Sequence, residues 1–156
     1  MYDQTLFSLL EEQAPGGKAA QGIRAAAQDA AVLIDAGDAS GAGRRFIDYR
    51  MGSGSWDLMP AARQGPVAAS MVNVRGWASA LFGQPTRLEA FKMLDISVLC
   101  MVGARSPASS LVVARLLAQA LPRVRTHEFG DLGHIGPVTH PDVVNDRIER
   151  FFAQHG

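Results

Sequence analysis

Leu94-Asp95-Ile96-Ser97-Val98-Leu99-Cys100-Met101-Val102-Gly103 is the stretch on which the fold turns. From Ile96 to Val102 it is nearly continuous and apolar, the pattern of a parallel strand covered on both faces. Gly103 ends it, and Ser106-Pro107 reads as an N-cap followed by the first helical residue. Val113, Leu116, Leu117, Ala120 and Leu121 then mark the apolar face of a helix that stops at Pro122. Val124 to Phe129 is a second strand. A loop with Gly130, Gly133 and Gly136 follows, and a last helix starts near Pro141 with Val143, Val144, Ile148, Phe151 and Phe152 on its buried side. Strand, helix, strand, loop, helix is a βαβα unit, with parallel strands and a right-handed crossover. Two strands alone are marginal, so the pattern asks for further cover of the sheet.

Upstream of this unit only helical patterns occur. Ile23, Ala26, Ala27, Ala30, Leu33 and Ile34 fall on one face at helical spacing, within an alanine-rich stretch of high helix propensity. Gly37 fits the stop of that helix and Asp38 the cap of the next, which carries Phe46, Ile47 and Tyr49 as apolar contacts. Met51 to Ser55 is a loop by its glycines. Pro60 to Phe82 reads as two short helices, with Pro66 expected to restart one of them, and Pro85 to Met93 as one more. The expected fold class is α/β: a helical segment over residues 1–93, then a parallel two-strand βαβα unit over 94–156.

Bulk properties narrow the function classes. The 156 residues are 47% hydrophobic and 19% charged, enough for a core. Fifteen basic residues balance fifteen acidic ones, so there is no long-range pull toward phosphate backbones or anionic lipid, and nucleic acid and membrane are poor partner choices. Cys100 is the single cysteine, which excludes an internal disulfide and a CxxC site. Residues Met1 to Glu11 carry acids and lack a basic start before an apolar run, so they do not read as a signal peptide. A cytoplasmic setting is expected. No His, Asp and Glu set has a metal spacing such as H-E-x-x-H, and no cofactor motif is present.

Three pieces of the C-terminal part carry a resemblance. Leu94 to Gly103 looks like a penultimate sheet strand. Glu128-Phe129-Gly130-Asp131-Leu132-Gly133-His134 looks like a last strand and a Gly-His loop, and Thr139-His140-Pro141-Asp142-Val143-Val144-Asn145 like the start of a closing helix. In this order and spacing the stretch resembles the C-terminal part of the α/β-hydrolase family. The resemblance implies a partial α/β-hydrolase fold in which the upstream helices stand where many members insert a lid. It implies hydrolysis of an ester or similar acyl bond in a small, fairly apolar substrate, with His134 as general base. In that family a serine in Gly-x-Ser-x-Gly attacks the acyl carbon, and no such motif occurs in this sequence. The family's usual acid, three residues after the glycine that ends the penultimate strand, corresponds to Ser106 here, a neutral hydroxyl.

Other readings stand beside these. Asp131 is near His134 in sequence, but three residues apart in one loop is an awkward geometry for an orienting bond. His140 reads as a helix-start residue, and His127 and His155 as structural or solvated. Ser53 and Ser55 are explained by a flexible glycine loop, and Cys100 by burial as a small hydrophobe. Arg44, Arg45 and Arg50 read as a solvated helix face. Trp56, Met59, Met71, Trp77 and Phe82 could line an acyl pocket, though helix–helix core is the plainer reading of each. Two functions follow: a partial acyl-hydrolase whose nucleophile is absent from this chain, or a non-catalytic truncated homologue that self-associates or pairs with a complementary chain. If the first holds, His134 and Ser106 should lie at the same C-terminal edge of the sheet.

Overall fold

The computed structural model describes residues 1–154; His155 lies outside the described residues. The helical segment comprises α1 (Ser8–Gln13), α2 (Lys18–Asp35), α3 (Ala39–Met51), α4 (Ser55–Leu58), α5 (Ala61–Ser70), a 3-10 turn at Met71–Asn73, α6 (Val74–Gly83) and α7 (Leu88–Phe91). Then come β1 (Val98–Gly103), α8 (Ala108–Ala120), β2 (Val124–Phe129), α9 (Gly136–Thr139) and α10 (Pro141–Ala153). The two strands pair in parallel, Val98 opposite Val124 through Gly103 opposite Phe129. The α/β class and the βαβα order are therefore those expected.

Side chains alternate across β1, and each face meets a different helix. Leu99 and Met101 pack with Phe129, Leu132 and Val144 of α10. Cys100 and Val102 pack with Ala114 of α8. Cover on both faces is what a continuous apolar run requires. Cys100 is buried, and desolvation pushes its thiol above the usual range.

The third layer of contacts joins the two segments. Val113 and Leu117 of α8 share a core with Phe7, Leu9, Leu10, Ala20 and Ile23. A second core holds α2 to its neighbours through Ala27, Ala30, Ala31, Ala42, Met71 and Val74; alanines on this face let the helices approach closely. Gly37 takes a φ of 79° at the end of α2, and the Asp38 carboxylate accepts from the Gly41 N–H at 2.7 Å, capping α3.

Three expectations need correction. Residues 1–3 are not part of the helical segment. Tyr2 bridges Met101 in parallel, with the Met101 N–H donating to the Met1 carbonyl at 2.8 Å and the Asp3 N–H to the Met101 carbonyl at 3.0 Å. The N-terminus thus supplies the extra edge that β1 needs to satisfy its outward backbone groups. Pro66 sits inside α5 rather than restarting it, because the Pro60 carbonyl already accepts from Arg63 and Gln64 and starts the helix earlier. Ser106 does not cap α8: Pro107 is the N-cap residue and no side chain bonds there. The Ser106 N–H closes a turn onto the Gly103 carbonyl at 3.0 Å instead.

Candidate functional site

Parallel strands bring their C-terminal ends to one edge, the usual place for a ligand site in such sheets. The turn after β1 and the loop after β2 touch there. The Arg105 N–H donates to the Leu132 carbonyl at 3.0 Å and the Ala104 N–H to the Phe129 carbonyl at 2.9 Å. A Cβ on Gly103 would stand 2.3 Å from the Leu132 oxygen. Close approach also explains Gly136, where a Cβ would lie 2.2 Å from the Tyr2 hydroxyl, whereas Gly130 and Gly133 leave room for a Cβ; none of the three has positive φ. The Tyr2 hydroxyl in turn donates to the Gly133 carbonyl at 2.8 Å, and its pKa is pushed up to about 12, first by burial and then by Asp3. The N-terminal segment therefore clamps the histidine loop.

The side chain that meets His134 is Asp3, which the sequence reading did not single out. Its Oδ2 lies 3.0 Å from His134 Nδ1, and its carboxylate is 1% exposed against 24% for the imidazole. Asp3 holds a φ of 45°, a left-handed conformation that Asp tolerates better than most residues. Ser106, which stands at the position matched to the family's acid, is buried at the same edge, and its side chain has no hydrogen-bond partner among the described residues. Asp131 is exposed and paired with Arg105 at 3.0 Å.

Arg50 completes the cluster. It is 8% exposed, not part of a solvated face, and its Nη2 reaches both ring nitrogens of His134, 3.1 Å from Nδ1 and in a short contact with Nε2. With Nδ1–H donated to Asp3, Nε2 is left to accept from Arg50. Burial pulls the Arg50 guanidinium below its ordinary pKa, opposed by the charge of Asp3 and then of Tyr49. A signal for its burial was present. Phe46 and Arg50 are four residues apart and share a face of α3, whereas Arg44 and Arg45 turn outward to Asp57 and Asp29. No comparable signal marks Asp3, whose pairing spans 131 positions.

Arg50 and His134 stand at the wall of a cavity of about 250 Å³. The rest of that wall is mainly apolar and comes from the N-terminal segment and the helices before β1: Phe7, Ile23, Phe46, Trp77, Leu81 and Phe82. Of the five residues weighed for an acyl pocket, Trp77 and Phe82 line the cavity. Trp56 instead packs against Gly43, and Met71 belongs to the α2 core. His127 stacks edge-on against Phe129 within β2, and His140 bonds Thr139 at the start of α10. Ser53 and Ser55 lie around the turn between α3 and α4 and are not among the lining residues. Among the described residues no group of His, Cys, Asp and Glu could hold a metal ion, and no helix is long and apolar enough to cross a membrane. No protein-family model, no curated protein and no solved structure matches the chain.

Proposed function

We propose that this chain carries the acid–base part of an α/β-hydrolase-like acyl-hydrolase site, with His134 as general base and Asp3 as the carboxylate that orients it, the family's acid position being held by the neutral Ser106. The observation that supports this reading is the 3.0 Å contact between a buried carboxylate and Nδ1 of a loop histidine, beside an apolar cavity. A carboxylate at Nδ1 fixes the tautomer in which Nε2 can take a proton, once the Arg50 guanidinium that donates to Nε2 is displaced, and stabilises the imidazolium that results. The nucleophile is supplied by residues outside the 156, since no Gly-x-Ser-x-Gly occurs among them. The substrate is a small apolar ester or lactone. The 156-residue chain alone should show negligible turnover of short acyl esters. The decisive test applies a fluorophosphonate probe to the protein recovered from its source cells through a C-terminal tag. Labelling of a Gly-x-Ser-x-Gly serine that falls steeply in His134→Gln supports the reading. Labelling and turnover indifferent to His134→Gln, or robust turnover by the 156-residue chain alone, overturn it.

A second reading is a non-catalytic homologue that pairs with another copy of itself. Its support is a second apolar groove of about 720 Å³ along β1 and α10, lined by Tyr2, Leu94, Leu99 and Ile148 among others. Ile96 and Phe152, both well exposed, also line it. Exposed apolar surface of this kind marks interaction sites. A sedimentation run at tens of micromolar should then show a dimer, and a strictly monomeric, cooperatively folded species counts against it.

A further inference from the structure

We infer that the cavity beside Arg50 binds a small apolar monocarboxylate, its carboxylate received by the Arg50 guanidinium and its tail lying among Phe7, Phe46, Trp77 and Leu81. The inference does not require hydrolysis, and it holds whether or not a nucleophile completes the site.

The argument starts from a cation in the wrong solvent. A guanidinium carries five N–H donors and no acceptor, and is charged at all ordinary pH values. Arg50 is 8% exposed, and its side-chain contacts with His134 both run from Nη2 to a ring that can be neutral. Among the described residues no carboxylate makes an ion pair with it; the other arginine ion pairs, such as Arg45 with Asp29 or Arg75 with Asp35, are all on exposed surface. Asp3 is bonded to the same imidazole, at Nδ1, and its charge reaches Arg50, but it makes no ion pair with the guanidinium and does not line the cavity. A buried cation is stabilised by an opposite charge with matching geometry, and the planar fork of arginine matches a carboxylate in bidentate fashion.

The remaining wall selects the rest of the ligand. Apart from Thr5, Arg50 and His134, the lining is hydrocarbon and aromatic. A pocket with one polar corner and an apolar body suits a molecule with one charged end and an apolar tail. Arg50 is the only Lys or Arg among the lining residues, so a phosphate dianion would be under-neutralised, whereas one carboxylate is balanced by one guanidinium. A neutral amide of the same shape would leave the guanidinium with only the nearby charge of Asp3, which makes no ion pair with it, to offset its burial.

Calorimetric titration of the full chain with octanoate, phenylacetate and octanamide tests this. Saturable binding of octanoate or phenylacetate is expected, with octanamide at least tenfold weaker. Arg50→Gln should weaken octanoate at least tenfold, and Arg50→Lys should retain part of the affinity. Because Arg50→Gln disturbs a buried cluster and can fail to fold, Ala78→Phe provides an independent reading. Ala78 lines the cavity and takes no part in the Arg50–His134 contacts, and a phenyl ring there should block octanoate while leaving Arg50 intact. Absence of saturable octanoate binding up to millimolar concentration overturns the proposal. So does octanamide binding as well as octanoate, or an octanoate affinity unchanged in Ala78→Phe or in folded Arg50→Gln.

Discussion

Asp3→Ala should lower the unfolding free energy by about 3–5 kcal/mol, the loss expected when one member of a buried charge cluster is removed and the other is left uncompensated. Asp3 is almost wholly buried, accepts from His134, and supplies the charge that opposes the desolvation of Arg50. Removing it strands a guanidinium that is itself buried. Alanine also resists the left-handed backbone at this position, which adds about 1 kcal/mol. Asp3→Asn separates these contributions. Asparagine tolerates the same φ, and its amide oxygen can still accept from Nδ1–H, so it should recover much of the loss while lacking the charge. Urea unfolding of the three proteins is the measurement. A loss below about 1 kcal/mol for Asp3→Ala would mean that the cluster is not coupled as its distances indicate.

Gly103→Ala should cost about 3 kcal/mol, the upper part of the range for overpacking a well-filled site. The added carbon would stand 2.3 Å from the Leu132 oxygen, 2.6 Å from its carbonyl carbon and 2.9 Å from the Gly133 nitrogen. These are backbone atoms, so no side-chain rotation relieves the clash. Strand β1 and the histidine loop must separate, weakening the bonds from Ala104 and Arg105 across that gap. The effect on the site should exceed the effect on the fold. His134 should lose its Asp3 partner, visible as a changed imidazole resonance in the folded state. Gly130→Ala is the control, because its Cβ would meet nothing within 4 Å and its φ is not positive. It should be near neutral by the same denaturation measurement. Equal losses at the two glycines would refute the close-approach explanation.

How much of this was legible in the sequence depends on how local the cause is. The strands, α8 and α10 were legible as elements because burial leaves a period in the residues themselves, but their bounds and faces were read too generously: Ile96 lies outside β1, and Ile96, Val143 and Phe152 are exposed. The His134 loop was legible because it follows a strand end at a recognisable spacing. The Asp38 cap was legible because capping is a bond over three positions. By contrast, Met1–Asp3 is too short for any period, and its conformation is dictated by the unsatisfied edge of β1, nearly a hundred positions away. Ser106 was matched to the family's acid position by spacing in the chain, whereas the carboxylate that contacts His134 is that of Asp3 on the neighbouring edge, a relation visible only in three dimensions. Arg50 was read with Arg44 and Arg45 because three arginines on one helix suggest solvent. Its four-residue offset from Phe46 was the better guide, and tertiary packing acted on that.

The clamp formed by the N-terminal segment has a consequence for the order of events during synthesis. Asp3 leaves the ribosome near the beginning of this sequence and His134 near its end, 131 positions later. At roughly 5–20 residues per second that interval is about ten seconds. Throughout it Asp3 has no imidazole to bond, and β1 lacks the strand that will flank it on the other side. Closing so long a loop is also entropically the most demanding step available to the chain. The site is therefore expected to be the last part of the molecule to become native, after the α2–α3 pair has formed from neighbouring residues. Pulsed hydrogen exchange during refolding should find the Asp3 and Met101 amides protected later than those of α2.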